Sequence, residues 1–191
     1  MHDPIALFHE WYAKALQSEP DPPDAVALGT ATREGVPSVR MVLCKGVDAR
    51  GFVFYTNLGS QKASELTDNP VASLLFHWKS LARQVRVTGH VEPVTDAEAD
   101  AYFASRPRTS QLGAWASRQS EVMPDRLALE RRVAHYAAHF GVGTVPRPPF
   151  WHGFRVVPRR VEFWEELPFR LHRRRVLVRD GDGWTEELLY P

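Results

Sequence analysis

Residues 25–55 read A-V-A-L-G-T-A-T-R-E-G-V-P-S-V-R-M-V-L-C-K-G-V-D-A-R-G-F-V-F-Y. Two short apolar runs, 25–32 and 38–45, flank a polar turn at 33–35, and this arrangement predicts a β-hairpin. The run at 51–55 is rich in aromatic and β-branched side chains, which are typical of strands. The segment therefore predicts three consecutive strands, the first two paired as a hairpin.

Outward from this segment, similar signals recur along the chain. Further strands are predicted at 71–77, 82–91, 151–157, 160–164, 174–179 and 184–189, the last two joined by the turn signal D-G-D-G. Helices are predicted at 4–17, 60–66, 95–105 and 126–140. Because the strands are short and joined by turns, with helices inserted irregularly, we expect a mainly β (α+β) fold. The expected architecture is an antiparallel barrel with appended helices, in a single domain over 1–191.

Composition narrows the class of protein. The chain has 191 residues, 43% hydrophobic and 25% charged, with 24 Lys and Arg against 23 Asp and Glu, which excludes a disordered chain. No apolar run approaches the roughly 18 residues of a membrane span, and no signal sequence precedes the first helix. The single cysteine, Cys44, excludes a disulfide framework and a cysteine-based zinc cluster. We therefore expect a cytoplasmic protein that does not bind a membrane.

Other functional classes have little support. The sequence lacks the glycine-rich dinucleotide and P-loop motifs, the serine-hydrolase elbow and the zinc-protease helix. His135 and His139 share a face of a predicted helix, but no third ligand can be named, so no metal site is expected. The basic cluster at 170–175 is flanked by acidic residues, so a nucleic-acid partner is not expected either.

Several basic residues occupy positions that suit an anion. Arg40 and Lys45 lie in an otherwise apolar strand, and their odd separation sends them to opposite faces unless a bulge intervenes. After Ser60, a helix N-terminus with Lys62 in its first turn could hold a phosphate. Both features also have ordinary explanations, namely strand ends that reach solvent and a plain serine cap.

Two further groups of side chains also suit an anion, and each has an ordinary explanation as well. Tyr102 and Arg106 share a helix face, and a cap at 109–110 would bring the next helix N-terminus to them. This arrangement suits a phosphate, or else a surface Tyr–Arg pair. One extended strand is expected to carry a row of cationizable side chains that point the same way, namely Arg170, His172 and Arg174. The row fits an anion or an electron-rich ring, or else a solvated stripe.

Taken in order, these pieces closely resemble the pyridoxamine 5′-phosphate oxidase family over nearly the whole chain. The segments are R-M-V-L-C-K (40–45), F-Y-T-N-L-G-S-Q-K (54–62), R-Q-V (83–85), Y-F-x-S-R-P-R-x-S-Q-x-G-A-W-x-S-x-Q-S (102–120), F-W-x-G-F-R (150–155), E-F-W (162–164) and R-L-H-x-R (170–174). Two departures stand out: Gln61 occupies a position where the family often has a second arginine, and the chain ends L-L-Y-P where Arg-Leu-x-Pro is usual.

The resemblance implies a split β-barrel homodimer with FMN bound in clefts at the subunit interface. The cofactor-binding residues that it implies are Arg40, Met41, Val42, Leu43, Lys45, Tyr55, Thr56, Gln61, Lys62, Gln84, Gln119, Ser120, Trp164 and Arg174. The substrate-binding residues that it implies are Lys45, Tyr102, Arg106, Ser110, Arg170 and His172. The last two are also the catalytic candidates, which would orient the substrate and stabilise its oxyanion form.

The implied reaction belongs to vitamin B6 biosynthesis and salvage. Pyridoxamine or pyridoxine 5′-phosphate is oxidised to pyridoxal 5′-phosphate, and FMN passes the two electrons to O₂, which yields H₂O₂, with ammonia released from the amine. Two other hypotheses remain: a related FMN oxidase of another small ring, such as a phenazine precursor, and a non-catalytic protein that binds flavin or pyridoxal phosphate. The residues implied for the substrate phosphate argue against the phenazine-type substrate.

Overall fold

The computed structural model describes residues 3–191. The strands are β1 (Ala25–Ala31), β2 (Pro37–Asp48), β3 (Gly51–Asn57), β4 (Val71–Trp78), β5 (Arg83–Pro93), β6 (Trp151–Glu165), β7 (Arg173–Asp180) and β8 (Gly183–Leu189). The α-helices are α1 (Pro4–Ser18), α2 (Gln61–Asp68), α3 (Asp96–Ser105), α4 (Arg108–Ala116) and α5 (Ala128–Phe140). None of the helices in this range combines the length and apolar character that crossing a bilayer requires.

The strands form one antiparallel sheet that closes on itself. Their order is β3-β2-β1-β4-β5-β6-β7-β8, and β3 also pairs with β6. This closing ladder runs from Phe52 opposite Val156 to Asn57 opposite Trp151, and it turns six strands into a barrel. The β7–β8 hairpin continues the sheet beyond β6. The predicted fold class, a mainly β antiparallel barrel with appended helices, is confirmed.

The core of the barrel is aromatic, and α1 packs against it. Phe8 is 1% exposed, and its ring centroid lies 5.0 Å from those of Phe52 and Phe76. One turn further on, Trp11 meets Phe163 edge-on at 5.2 Å. Burying side chains of this size contributes roughly 1.5–3 kcal/mol each, so the apolar face of α1 is what holds the helix in place.

A second apolar cluster lies on the opposite face of β3 and holds α3, α4 and α5. Phe103 of α3, Leu112 of α4 and Trp151 of β6 are buried in it, and Tyr55 of β3 packs against them. Strand side chains alternate between faces, so Tyr55 points away from the barrel core that Phe54 enters. The cluster fixes α3 and α4 beside the β3–β6 ladder.

Strand β6 differs from the sequence-based expectation. The two strands predicted at 151–157 and 160–164 are one continuous strand. Pro158 does not interrupt it because the register with β5 shifts between Thr88 and Gly89, and Gly89 lies opposite the proline. A bulge of this kind accommodates a residue that has no N–H to donate.

The segment before β7 also differs. Phe169 and Arg170 have positive φ values of 58° and 61°, and β7 begins only at Arg173. The prediction that three side chains project together from one extended strand is therefore wrong. Of Arg170, His172 and Arg174, only the last lies on a strand. Arg170 belongs to a tight turn at Pro168–Arg170, and His172 lies between this turn and β7.

The N-termini of the helices agree only in part with the caps predicted from the sequence. Thr95 and Glu98 form the predicted capping box of α3, each side chain accepting from the other's backbone N–H. Ser60 is the N-cap residue of α2, but its side chain makes no capping hydrogen bond. Because α4 begins directly after Pro107, the cap predicted at 109–110 is wrong.

Replacing Gly89 with alanine should destabilise the barrel. The added Cβ would overlap the carbonyl oxygen of Val157 across the bulge, so we expect the free energy of unfolding to fall by about 1–3 kcal/mol in urea denaturation. Gly113→Ala in α4 is the control, because nothing lies within 4 Å of its added Cβ and alanine favours a helix. Equal stability of Gly89→Ala and the wild type would contradict the bulge.

Candidate functional site

A cavity of about 820 Å³ lies against β2 and β3 and is completed by α2, the end of α3, α4 and the segment that follows α4. The residues predicted from the sequence that line it are Arg40, Met41, Val42, Leu43, Lys45, Tyr55, Thr56, Gln61, Lys62, Tyr102, Arg106, Ser110, Gln119 and Ser120. Most of the predicted site thus converges on one cavity, although its members are widely separated in the sequence.

The first cationic centre of the cavity is Lys62, in the first turn of α2. Its side chain is only 9% exposed, and Nζ donates to Thr56 Oγ1 at 3.1 Å and to Gln119 Oε1 at 2.9 Å. Burial lowers the pKa of this ammonium, and the charge of Arg40 lowers it further. Both oxygens that accept from Lys62 are neutral. A buried cation in such surroundings is a strong binding point for an anion.

Arg40 lies beside this centre, in a network built on a buried carboxylate. Its Nη1 donates to the carbonyl of Leu28 at 3.1 Å, and its Nη2 lies 3.3 Å from Glu65 Oε2. Glu65 is 5% exposed and also accepts from Ser38 and Thr30. Burial alone would raise the pKa of Glu65, but these hydrogen bonds and the charge of Arg40 lower it to about 2. The carboxylate therefore stays ionised and holds Arg40 in place.

Gln61, the residue that departs from the family pattern, belongs to the same network. Its Nε2 donates to Glu65 Oε1 at 2.8 Å, one turn along α2. Its backbone N–H points to Ser120 Oγ at 3.2 Å, and Ser120 has a positive φ of 75°. The segment after α4 thus folds back onto the start of α2, which explains why residues near 119 and 62 share a wall.

A bulge brings Lys45 to the same cavity as Arg40. The register between β2 and β3 shifts between Cys44 and Gly46, so Lys45 is the extra residue. The expectation that the two cations would point to opposite faces applied only to a regular strand, and the bulge removes it. Lys45 Nζ forms an ion pair with Asp24.

The second cationic centre is Arg106, which follows the last turn of α3. Its guanidinium lies 4.9 Å from the ring centroid of Trp151, and Trp151, Tyr55 and Tyr102 form a stack. Burial lowers the pKa of Arg106, and its Nη1 is buried without a hydrogen-bond partner in the described part of the chain. Ser110 lies on the same wall. An unpartnered guanidinium nitrogen beside two hydroxyl groups fits a phosphate.

The remaining predicted residues form a separate cluster on β5, β6 and β7 and do not line this cavity. Gln84, Trp164 and Arg174 lie side by side across the three strands. The ring of His172 lies 4.7 Å from that of Trp164, and its Nδ1 accepts a hydrogen bond from the backbone N–H of Leu167 at 3.3 Å. Arg170 occupies the strained turn before β7. One chain therefore carries the predicted site in two parts.

Sequence reasoning missed the acidic residues that orient these cations. Glu65 follows Gln61 by four residues on α2, and this helical spacing could have suggested a side-chain pair. Glu162 lies within the motif E-F-W, but nothing in that motif shows that its carboxylate is buried among arginines. No group of three or more potential metal ligands occurs between residues 3 and 191, and the rings of His135 and His139 lie 6.4 Å apart.

The closed barrel with helices packed beside the β3–β6 ladder is a split β-barrel. PhzG from Burkholderia lata 383, solved in complex with tetrahydrophenazine-1-carboxylic acid, superimposes with a TM-score of 0.94 at 36% identity over 99% of this chain and 93% of that one. A pyridoxamine 5′-phosphate oxidase-related, FMN-binding protein from Nostoc punctiforme PCC 73102 reaches a TM-score of 0.79 at 15% identity, over the whole of both chains. The second likeness shows the shared fold alone.

Sequence comparison identifies the family. Residues 12–140 match the model described as pyridoxamine 5′-phosphate oxidase, and 151–191 match the pyridoxine 5′-phosphate oxidase C-terminal dimerisation region. Relatives from Rhodospirillum rubrum and Caulobacter vibrioides, both named pyridoxine/pyridoxamine 5′-phosphate oxidase, are 60% and 59% identical. The matches cover 99% of this chain and 96% and 85% of theirs. The chain belongs to the pyridoxamine 5′-phosphate oxidase family of oxidoreductases.

Replacing Glu65 with glutamine should reduce stability at neutral pH by about 1–3 kcal/mol, because a charged acceptor of several hydrogen bonds is lost. The pKa of Glu65 falls from 4.5 to about 2 on folding, so the carboxylate stabilises the fold above about pH 4.5 and this contribution disappears as the pH falls toward 2. The difference between variant and wild type should shrink across that window, as measured by urea denaturation at several pH values.

The control for this experiment is Glu121→Gln. The Glu121 side chain is 61% exposed, so its replacement should leave the free energy of unfolding unchanged at every pH. A stability difference for Glu65→Gln that stays constant between pH 4.5 and 2 would contradict the ionised network.

Proposed function

We propose that this protein is an FMN-dependent oxidase that converts pyridoxamine 5′-phosphate or pyridoxine 5′-phosphate into pyridoxal 5′-phosphate in the cytoplasm. O₂ is the electron acceptor, H₂O₂ is a product, and the amine substrate also releases ammonia. The names of the relatives support this substrate class. The observation that carries the proposal is the pair of cationic centres in one cavity, since FMN and the substrate each bear a phosphate.

The Lys62 centre fits the phosphate of FMN. It offers a buried ammonium without a carboxylate among its hydrogen-bond acceptors, and it lies in the first turn of α2, where the helix dipole favours an anion. Arg40 adds a second cation, and Thr56 and Ser120 add hydroxyl groups. Gln61 would contribute a neutral contact at most, because its amide is engaged by Glu65. FMN, once bound, supplies the two-electron acceptor that amino-acid side chains lack.

The Arg106 centre fits the phosphate of the substrate. Nη1 of this guanidinium has no partner within the described residues, so a phosphate oxygen would satisfy a buried donor. Tyr102 and Ser110 line the same wall, and Lys45 can reach the cavity from the bulge in β2. Holding the substrate by its phosphate at one end fixes the position of the carbon to be oxidised, which converts an encounter into an oriented reaction.

A second copy of the chain would complete the site. Residues 151–191 match a dimerisation region, and they include Trp164, Arg170, His172 and Arg174, which do not line this chain's own cavity. On the cavity wall, Met41 is 63% exposed, which is unusual for an apolar strand residue and consistent with cover by a partner. In the homodimer, we assign to Arg170 and His172 the orientation of the substrate ring and the stabilisation of its 3-oxyanion.

The likeness to PhzG supports a second candidate, an oxidase of a phenazine precursor. Two observations favour the vitamer phosphates. The relatives named for those substrates are 59–60% identical, against 36% for PhzG. The Arg106 centre also provides a phosphate site that is separate from the one for the flavin.

A direct assay tests the proposal. The purified protein should bind FMN and show flavin absorption, consume O₂ with either phosphorylated vitamer, and form the aldehyde in the same amount as H₂O₂. Flavin binding without turnover of either vitamer would overturn the proposal, and turnover of a phenazine precursor alone would favour the second candidate.

Separate variants distinguish the two halves of the site. Lys62→Met should weaken FMN binding about 10- to 100-fold, because one charge-assisted contact of roughly 1.5–3 kcal/mol is lost. Arg170→Ala and His172→Ala should slow oxidation while FMN affinity, measured by quenching of flavin fluorescence, stays near that of the wild type. If either of the last two lost only flavin affinity, the role assigned to it would be wrong.

A further inference from the structure

A buried carboxylate lies among arginines on β5, β6 and β7, in what we call the Glu162 cluster (Glu162, Arg86, Arg160 and Arg174). The Glu162 side chain is 1% exposed. Its Oε1 accepts from Arg174 Nε at 2.7 Å, and its Oε2 accepts from Arg160 Nη2 at 3.1 Å. Nη1 of Arg86 lies 3.7 Å from Oε1. One carboxylate thus holds three guanidinium groups.

Strand register places this cluster beside the residues implied for the flavin. Gln84, Trp164 and Arg174 form one row across β5, β6 and β7. Glu162 and Arg86 belong to the next row, two residues along, so their side chains share the face of the first row. A hydrogen bond from Arg86 Nη2 to Gln84 Oε1, at 3.0 Å, joins the two rows. Glu162 is therefore connected to Arg174 directly and to Gln84 through Arg86.

Electrostatics explains why the carboxylate is tolerated there. Burial would raise the pKa of Glu162, but hydrogen bonds from Arg174 and Arg160 and the charge of Arg86 lower it, so the group stays ionised. Three guanidinium groups against one carboxylate leave an excess of positive charge on this face. Arg86 and Arg160 are 44% and 39% exposed, whereas Glu162 is enclosed.

Arg174 has one other hydrogen bond besides the one to Glu162. Its Nη1 donates to the carbonyl of Tyr190 at 3.1 Å, at the end of the chain, and its side chain is 24% exposed. With the carboxylate removed, the contact to Tyr190 and the solvent would compete for the guanidinium. Long charged side chains lose much conformational entropy when they are fixed, so a strong partner is needed to hold one orientation.

We propose that Glu162 is a positioning residue of the flavin site, which acts through Arg174 directly and through Arg86 on Gln84. The inference rests on the proposed function, and it assigns a role to a side chain that would contact neither flavin nor substrate. In the dimer, Glu162 orders the part of the site that one chain presents to the cavity of the other.

The test compares Glu162→Gln with Glu165→Gln in the full-length protein. Glu165 is the matched control, because it is another β6 carboxylate paired with two arginines, Arg83 and Arg173, neither of them implied in the flavin site. We expect Glu162→Gln to raise the dissociation constant for FMN about tenfold and to shift the visible absorption of the bound flavin. Glu165→Gln should change the dissociation constant less than twofold and leave the spectrum unaltered.

A double-mutant cycle separates positioning from general destabilisation. If Glu162 acts mainly through Arg174 and to a smaller extent through Arg86 and Gln84, then Glu162→Gln combined with Arg174→Gln should bind FMN within about threefold of Arg174→Gln alone. Independent, multiplying effects would overturn the proposal, and so would equal FMN affinity for Glu162→Gln and Glu165→Gln.

A third variant covers the case in which Glu162→Gln fails to fold. Arg86 is half-exposed, and Arg86→Met removes its hydrogen bond to Gln84. This variant should weaken FMN binding about threefold and leave the unfolding midpoint of the apoprotein unchanged. Unchanged FMN affinity in Arg86→Met would refute the path through Gln84. If the wild type itself binds no FMN, it is the proposed function that fails, and the two failures are thereby distinguished.

Discussion

The ladder between β3 and β6 closes the barrel, and the site depends on that closure. It sets Tyr55 opposite Gly153 and Asn57 opposite Trp151, although these residues lie almost a hundred positions apart in the chain. The closed wall gives α3 and α4 an apolar surface to pack against, through Phe103 and Trp151. Without it, Lys62 and Arg106 would not be held at the same cavity.

Buried carboxylates organise the cations of this protein. Glu65 holds Arg40 at the Lys62 centre, and Glu162 holds Arg174 on the far strands. In each case several donors keep the carboxylate ionised in a place where an isolated charge would be very costly. Lys62 and Arg106 are different, because their donors are directed at neutral groups or at none in the described residues. Paired cations give the site its shape, and the less compensated ones remain available to an anion.

The division of the predicted residues between two surfaces has a physical explanation in symmetry. In a two-fold dimer, each chain contributes the same surface patch to the cavity of the other. A single chain can therefore carry both halves of a site although they do not meet within it. Arg170 lies in a turn with unfavourable φ at Phe169 and at Arg170 itself, and such strain persists only where surrounding contacts impose it. A partner at this surface would provide such contacts.

The amino-acid sequence alone determined the barrel class and most of the strand and helix pattern, because hydrophobic period and turn signals are local, and its long motifs indicated the candidate site residues. Tertiary structure decided the rest. The continuity of β6 through Pro158 depends on a bulge at Arg159 of β6, and the arrival of Lys45 at the cavity depends on a bulge in β2. The orienting roles of Glu65 and Glu162 are equally invisible in the sequence, because a carboxylate's partners are set by packing between distant elements.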